Sequence, residues 1–86
     1  VREDALREKI CSRVVKLLRS ERERQGISMN ELAQKAGLSQ AMISLMERDL
    51  RNPTLDTLLR ISRALNVELG MLITSATRTE TGEDQG

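Results

Sequence analysis

The segment SMNELAQKAGLSQAMISLME, from Ser28 to Glu47, is built to make hydrogen bonds rather than to break covalent ones. Ser28 with Glu31 three residues later fits a capping box, and Ser39 before Gln40 offers a second N-cap. Gly37 between them supplies a positive-φ residue that ends a helix. The spacing predicts two capped helices of about two turns each, too short to bury a core alone. Such a pair makes sense when the second helix is displayed to a partner, and DNA is the leading candidate.

Composition narrows the remaining chemistry. The chain has no histidine and one cysteine, Cys11, so it can form neither an intramolecular disulfide nor a conventional zinc ligand set. It also lacks a glycine-rich phosphate loop and any nucleophile paired with a base, so the reading is of no enzyme, no metal and no cofactor. No apolar run approaches the ~20 residues of a membrane span, and the N-terminus VREDALREK lacks a signal peptide's apolar segment. A soluble, cytoplasmic protein is expected. The first residue is Val rather than Met, as in a processed or trimmed chain whose native ends are not shown.

Eighty-six residues allow one small domain, and the absence of Phe, Tyr and Trp leaves Leu, Ile, Val, Met and Ala to build its core. That palette favours helices. Leu6, Ile10, Val14, Leu17 and Leu18 recur at helical spacing and predict a first helix over residues 4–24, stopped by Gly26. A second follows over 29–36 with Leu32, Ala33 and Ala36 inward, and a third over 40–48 with Ile43 and Met46 inward. Pro53 breaks the pattern, Thr54 caps a fourth helix, and Asn66 ends it in a left-handed turn. Leu55, Leu58, Leu59, Ser62 and Leu65 are expected on its buried face. A short last helix over 68–73 is anchored by Val67, Leu69 and Leu72. Residues 74–86, TSATRTETGEDQG, contain no large apolar residue and are expected to be a disordered acidic tail. The domain is therefore 14–73, preceded by an extension of the first helix over 1–13.

Charge is nearly balanced at +1, but residues 1–27 carry eight basic and five acidic groups, and 74–86 carry one and three. This permits nucleic-acid binding without demanding it. The lack of aromatic platforms favours duplex over single-stranded targets. Cys11 is expected to be a small buried hydrophobe rather than a redox sensor.

QGISMNELAQKAGLSQAMISLMERDLRNPTLDTLLRISRALNVELGMLI resembles the Cro and phage-repressor type (XRE-like) helix-turn-helix family. The match lies in ELA, G-L-S-Q at the turn, I-S-x-x-E, R-N-P-T-L and A-L-N-V, and it covers about two-thirds of the chain. The resemblance implies an all-α, compact five-helix, lambda-repressor-like bundle, with motif 28–47 and its second helix in the major groove. If Ile43, Met46 and Glu47 face inward, Gln40, Ala41, Ser44, Leu45 and Arg48 face the bases.

Gln40 can pair bidentately with adenine, or simply touch a phosphate or solvent. Ser44 has the same alternatives. Leu45, where many relatives carry a polar residue, can meet a thymine methyl or pack on a neighbour, and Ala41 can do the same job or none. Arg48 and Arg51 can reach phosphates or a guanine edge, or lie solvated at a helix C-terminus. Ser28, Ser39, Asn52 and Thr54 begin or precede helices, so caps and phosphate-binding N–H groups are both open to them. The resemblance also implies a partly buried ion pair between Arg22 and Glu47, and it marks Asp49 as standing where relatives usually have glycine.

The function this implies is a sequence-specific transcriptional regulator, typically a repressor that occludes a promoter as a homodimer on an inverted repeat. Leu6 and Ile10 on the first helix, or Met71 and Ile73 on the last, offer the dimer surface. The rival reading is a protein-interaction module or antitoxin component that docks a protein partner through Met29, Met42, Met46 and Met71.

Overall fold

A computed structural model describes residues 2–82 as five helices: α1 (Arg2–Arg24), α2 (Met29–Ala36), α3 (Gln40–Glu47), α4 (Leu55–Ala64) and α5 (Leu69–Thr81). The all-helical architecture is the one the aliphatic composition favours. Leu18, Leu32, Ile43, Met46, Ile61 and Leu65 are fully buried at its centre, and Ala33, Ala36 and Ala76 let helix backbones approach closely around them. α1 packs on α5 and α3, while α2 packs on α3 and α4.

Local chemistry fixes where the helices stop. After α1, Gly26 and Ile27 return their N–H groups to Glu23 and Arg22, and Gly26 has φ 70°. Asn66 does the same after α4 at φ 60°, with Asn66 and Val67 bonding to Arg63 and Ser62. Both are Schellman ends, which need a left-handed residue that glycine or asparagine adopts at low cost. Gln25 then ties α1 to the end of α4 by donating to the Leu65 carbonyl at 2.8 Å. Beside it, hydrogen bonds from Arg24 and Gln25 hold the Glu21 carboxyl down at about 2.

Three expectations require correction. Residues 74–81 are helical rather than disordered, because α5 continues past Ile73 to Thr81; residues 83–86 lie outside the described residues. The N-terminal half of α1 gives this stretch a surface to pack on, with Ala76 fully buried and Arg13 Nε 3.2 Å from Glu80 Oε2. Thr74, Thr77 and Thr81 turn their hydroxyls back to the carbonyls of Gly70, Ile73 and Thr77, so polar residues sit within the helix without competing for outside partners.

On α4, Leu55 and Leu59 are exposed, at 62% and 43%. Ser62 and the C-cap Leu65 are buried as expected and Leu58 is half-buried, while Thr57 and Ile61 take the inward positions that the two exposed leucines do not. Two buried hydroxyls make that rotation tolerable: Thr57 bonds Thr54 at 3.1 Å and Ser62 donates to the Leu59 carbonyl at 3.1 Å. Cys11 is exposed rather than buried. Its neighbour Ile10 takes the core-facing position, which places Cys11 about 100° around the helix.

Candidate nucleic-acid interface

The junction of α2 and α3 is held by three caps. Glu31 N donates to Ser28 Oγ at 3.0 Å while Ser28 N donates to Glu31 Oε1 at 3.3 Å, a reciprocal capping box. Gly37 closes α2 at φ 70°, with Leu38 N bonded to Ala33 O at 2.9 Å. Ser39 Oγ then accepts from Met42 N at 3.1 Å and starts α3. The turn is crowded: a Cβ added at Gly37 would lie 3.3 Å from Arg60 Nη1. Gly37→Ala should therefore cost about 1–2 kcal/mol, seen as a lower urea midpoint with an unchanged slope.

Within α3, Ile43 and Met46 are buried in the core, and Glu47 turns back toward α1 with its side chain only 5% exposed. Glu47 and Arg22 form a two-pronged ion pair, Arg22 Nε to Glu47 Oε2 at 2.7 Å and Nη2 to Oε1 at 3.0 Å. The third prong, Nη1, donates to the Ile27 carbonyl at 2.7 Å, so one guanidinium joins α1, the α1–α2 turn and α3. The hydrogen bond to Glu47 holds the Arg22 pKa above its ordinary value.

This anchoring decides which face of α3 is left open. Gln40 and Ala41 are exposed, Ser44 and Leu45 are half-buried, and Arg48 is the exposed C-cap residue rather than part of the helix. Across the following loop, Arg51, Asn52 and Thr54 share a small cleft with Met42 of α3. Thr54 caps α4 by accepting from Thr57 N at 3.1 Å. Ser28, at the start of α2, is not part of that cleft.

Arg13, Arg19, Arg22, Arg24 and Arg60 each have a carboxylate partner. Arg48 and Arg51 are exposed and, like Lys9, Lys16, Lys35, Arg63 and Arg78, enter no ion pair among the described residues; their place beside α3 leaves both guanidinium groups available to an anionic ligand there. No group of three or more His, Cys, Asp or Glu among those residues is placed to hold a metal ion. No described helix is long and apolar enough to cross a membrane.

The geometry is that of two short capped helices around a left-handed glycine, the second anchored by its inner face and open on its outer one. A helix-turn-helix family model (HTH_3) matches residues 18–72. The chain belongs to this helix-turn-helix family. Among curated relatives, the uncharacterized HTH-type transcriptional regulator Rv0474 of Mycobacterium tuberculosis is 39% identical over 66 residues, covering 77% of this chain and 47% of the relative. The HTH-type transcriptional regulator SinR of Bacillus subtilis is 37% identical over 60 residues, 69% of this chain and 54% of SinR. The uncharacterized HTH-type transcriptional regulator y4dJ of Sinorhizobium fredii is 36% identical over 61 residues, 71% of this chain and 79% of the relative. The chain thus spans about half the length of Rv0474 and of SinR. No solved structure matches it.

The helix-turn-helix assignment gives the outer face of α3 its interest, but two nearby residues carried little or no signal in the sequence. Asp49 occupies the left-handed position after α3 at φ 61°. Its carboxylate accepts from Ser12 Oγ at 3.0 Å through both oxygens. Asp49 was detectable as a replaced glycine; Ser12, thirty-seven positions away, was not. The four methionines do not form one surface: Met46 is core, Met29 and Met42 are half-buried, and Met71 is exposed.

Proposed function

We propose that this helix-turn-helix domain is the DNA-reading part of a sequence-specific transcriptional regulator, acting as a homodimer on an inverted repeat and repressing by occluding a promoter. The observation that carries the reading is the orientation of α3: Ile43, Met46 and Glu47 hold its inner side to the bundle, so Gln40, Ala41, Ser44, Leu45 and Arg48 form the side offered to base edges. Gln40, at the first turn, is the adenine reader, and Leu45 with Ala41 supplies apolar contact to thymine methyls.

Affinity in this reading comes from the backbone. Arg51, with Arg48 at the edge of the reading face, neutralises phosphate, while N–H groups at the starts of helices near Ser28, Ser39, Asn52 and Thr54 donate to phosphate oxygens. Between Ser28 and Pro53 there are three basic and three acidic residues, so one protomer has little electrostatic hold of its own. A second protomer supplies the rest. If Arg48 and Arg51 of two protomers neutralise about four phosphates, duplex affinity should fall on the order of 100-fold between about 50 and about 200 mM salt. Fluorescence anisotropy titrations with a labelled duplex measure this, and a salt-independent affinity contradicts it.

For the dimer we favour the face of α5 that carries Met71, which is 67% exposed, over Leu6 and Ile10 on α1, which are half-buried in the monomer. Met71→Glu should shift the chain from dimer to monomer in equilibrium sedimentation, while Leu6→Glu should not. A fully dimeric Met71→Glu variant removes α5 as the interface.

A further inference from the structure

The loop between α3 and α4 carries Arg51 and Asn52 and is tied at its start to one segment of α1 that also lines a cavity at its end. At its start, Ser12 Oγ donates to Asp49 Oδ1 and Oδ2, both at 3.0 Å. At its end, Asn52 and Pro53 line a small apolar cavity with Ile10, Cys11, Val14 and Leu58. Between these points Arg51 is exposed. Ile10 to Val14 precede residues 18–72, the span that the family model matches.

Asp49 itself is an unusual choice for this position. It adopts φ 61°, with Asp49 N bonded to Met46 O at 3.0 Å and Leu50 N to Leu45 O at 2.9 Å, a helix end that glycine makes without strain. An aspartate there also sets a negative charge beside the residues offered to phosphates. Its carboxylate is drawn toward α1 by the serine hydroxyl.

We propose that Ser12 is a positioning residue for DNA binding: through Asp49 it fixes the course of the loop from Arg48 to Asn52 and keeps the Asp49 carboxylate turned away from the DNA backbone. This rests on the DNA-binding reading given above. The hydrogen bond is exposed, so its loss has little effect on global stability. Its effect falls on the bound complex, where a loosened loop must be ordered and a freed carboxylate faces phosphate.

The test compares Ser12→Ala, Ser12→Thr and Asp49→Asn with the wild-type chain, using anisotropy with a duplex selected by the wild type, well below the melting temperature. Ser12→Ala should bind roughly threefold to tenfold more weakly with a nearly unchanged melting temperature. Ser12→Thr, which keeps the hydroxyl, should restore wild-type affinity. Asp49→Asn, which keeps an acceptor, tolerates the left-handed backbone and removes the charge, should bind at least as well as wild type. Ser12→Ala binding as tightly as wild type, or Ser12→Thr falling as far as Ser12→Ala, overturns the positioning role alone. A wild-type chain that selects no duplex overturns the DNA-binding reading beneath it.

Discussion

Glu47→Ala should lower the stability of the domain by about 3–5 kcal/mol, because it leaves the Arg22 guanidinium buried without its counter-charge. The two side chains are only 10% and 5% exposed, well away from the surface regime in which an ion pair is worth under ~1 kcal/mol. For a domain of this size each kcal/mol moves the melting temperature by roughly 4–8 °C, so a fall of more than about 12 °C is expected in a calorimetric or circular-dichroism melt. Total stabilities for such chains run to about 4–13 kcal/mol, so the loss is a large fraction of what holds the domain folded.

The two halves of the pair should not be equivalent. Removing Arg22 leaves Glu47 with Arg19, whose Nε lies 3.8 Å from Glu47 Oε1. Removing Glu47 leaves Arg22 with only the Ile27 carbonyl and, at 4.0 Å, the half-exposed Glu23. Arg22→Ala should therefore cost less in charge, although it also frees the Ile27 carbonyl. The double change Arg22→Met with Glu47→Leu should recover most of the loss, since a packed apolar pair replaces a buried charged one. A Glu47→Ala variant that melts within about 2 °C of wild type would show that the pair is solvated in practice.

The second large effect concerns recognition. Gln40→Ala should leave the fold intact, because the side chain is exposed and Ser39 supplies the cap, yet remove a bidentate contact worth about 1–3 kcal/mol against the wrong base. Discrimination at one position of each half-site should fall by roughly 5- to 150-fold, with little change elsewhere. Binding to duplexes carrying single base changes measures this directly. Uniform weakening at every position would instead assign Gln40 to the phosphate backbone.

Much of this was legible in the residues. The caps Ser28, Ser39 and Thr54 and the terminators Gly26, Gly37 and Asn66 act within a turn of themselves, so sequence alone locates them. The inner face of α3 is read as easily, because Ile43 and Met46 at helical spacing leave one way round. Long-range partners were harder to see. α5 runs to Thr81 because a distant stretch of α1 offers Ala76 a surface and Glu80 a cation, and threonine-rich composition gives no hint of either. α4 turned its exposed leucines outward because Thr57 and Ser62 found local hydrogen-bond partners, a choice that counting apolar residues cannot anticipate. Ser12 reaches Asp49 only through the packing of α1 on α3.

The proposed function requires the outer face of α3 to read duplex sequence. Selection of bound duplexes from a random pool, at low salt with the wild-type chain, tests it most directly. The expected result is an enriched pair of inverted half-sites with centres about 10 base pairs, or one helical turn, apart. Bound duplexes with no sequence in common, or no bound duplex at all, would contradict it.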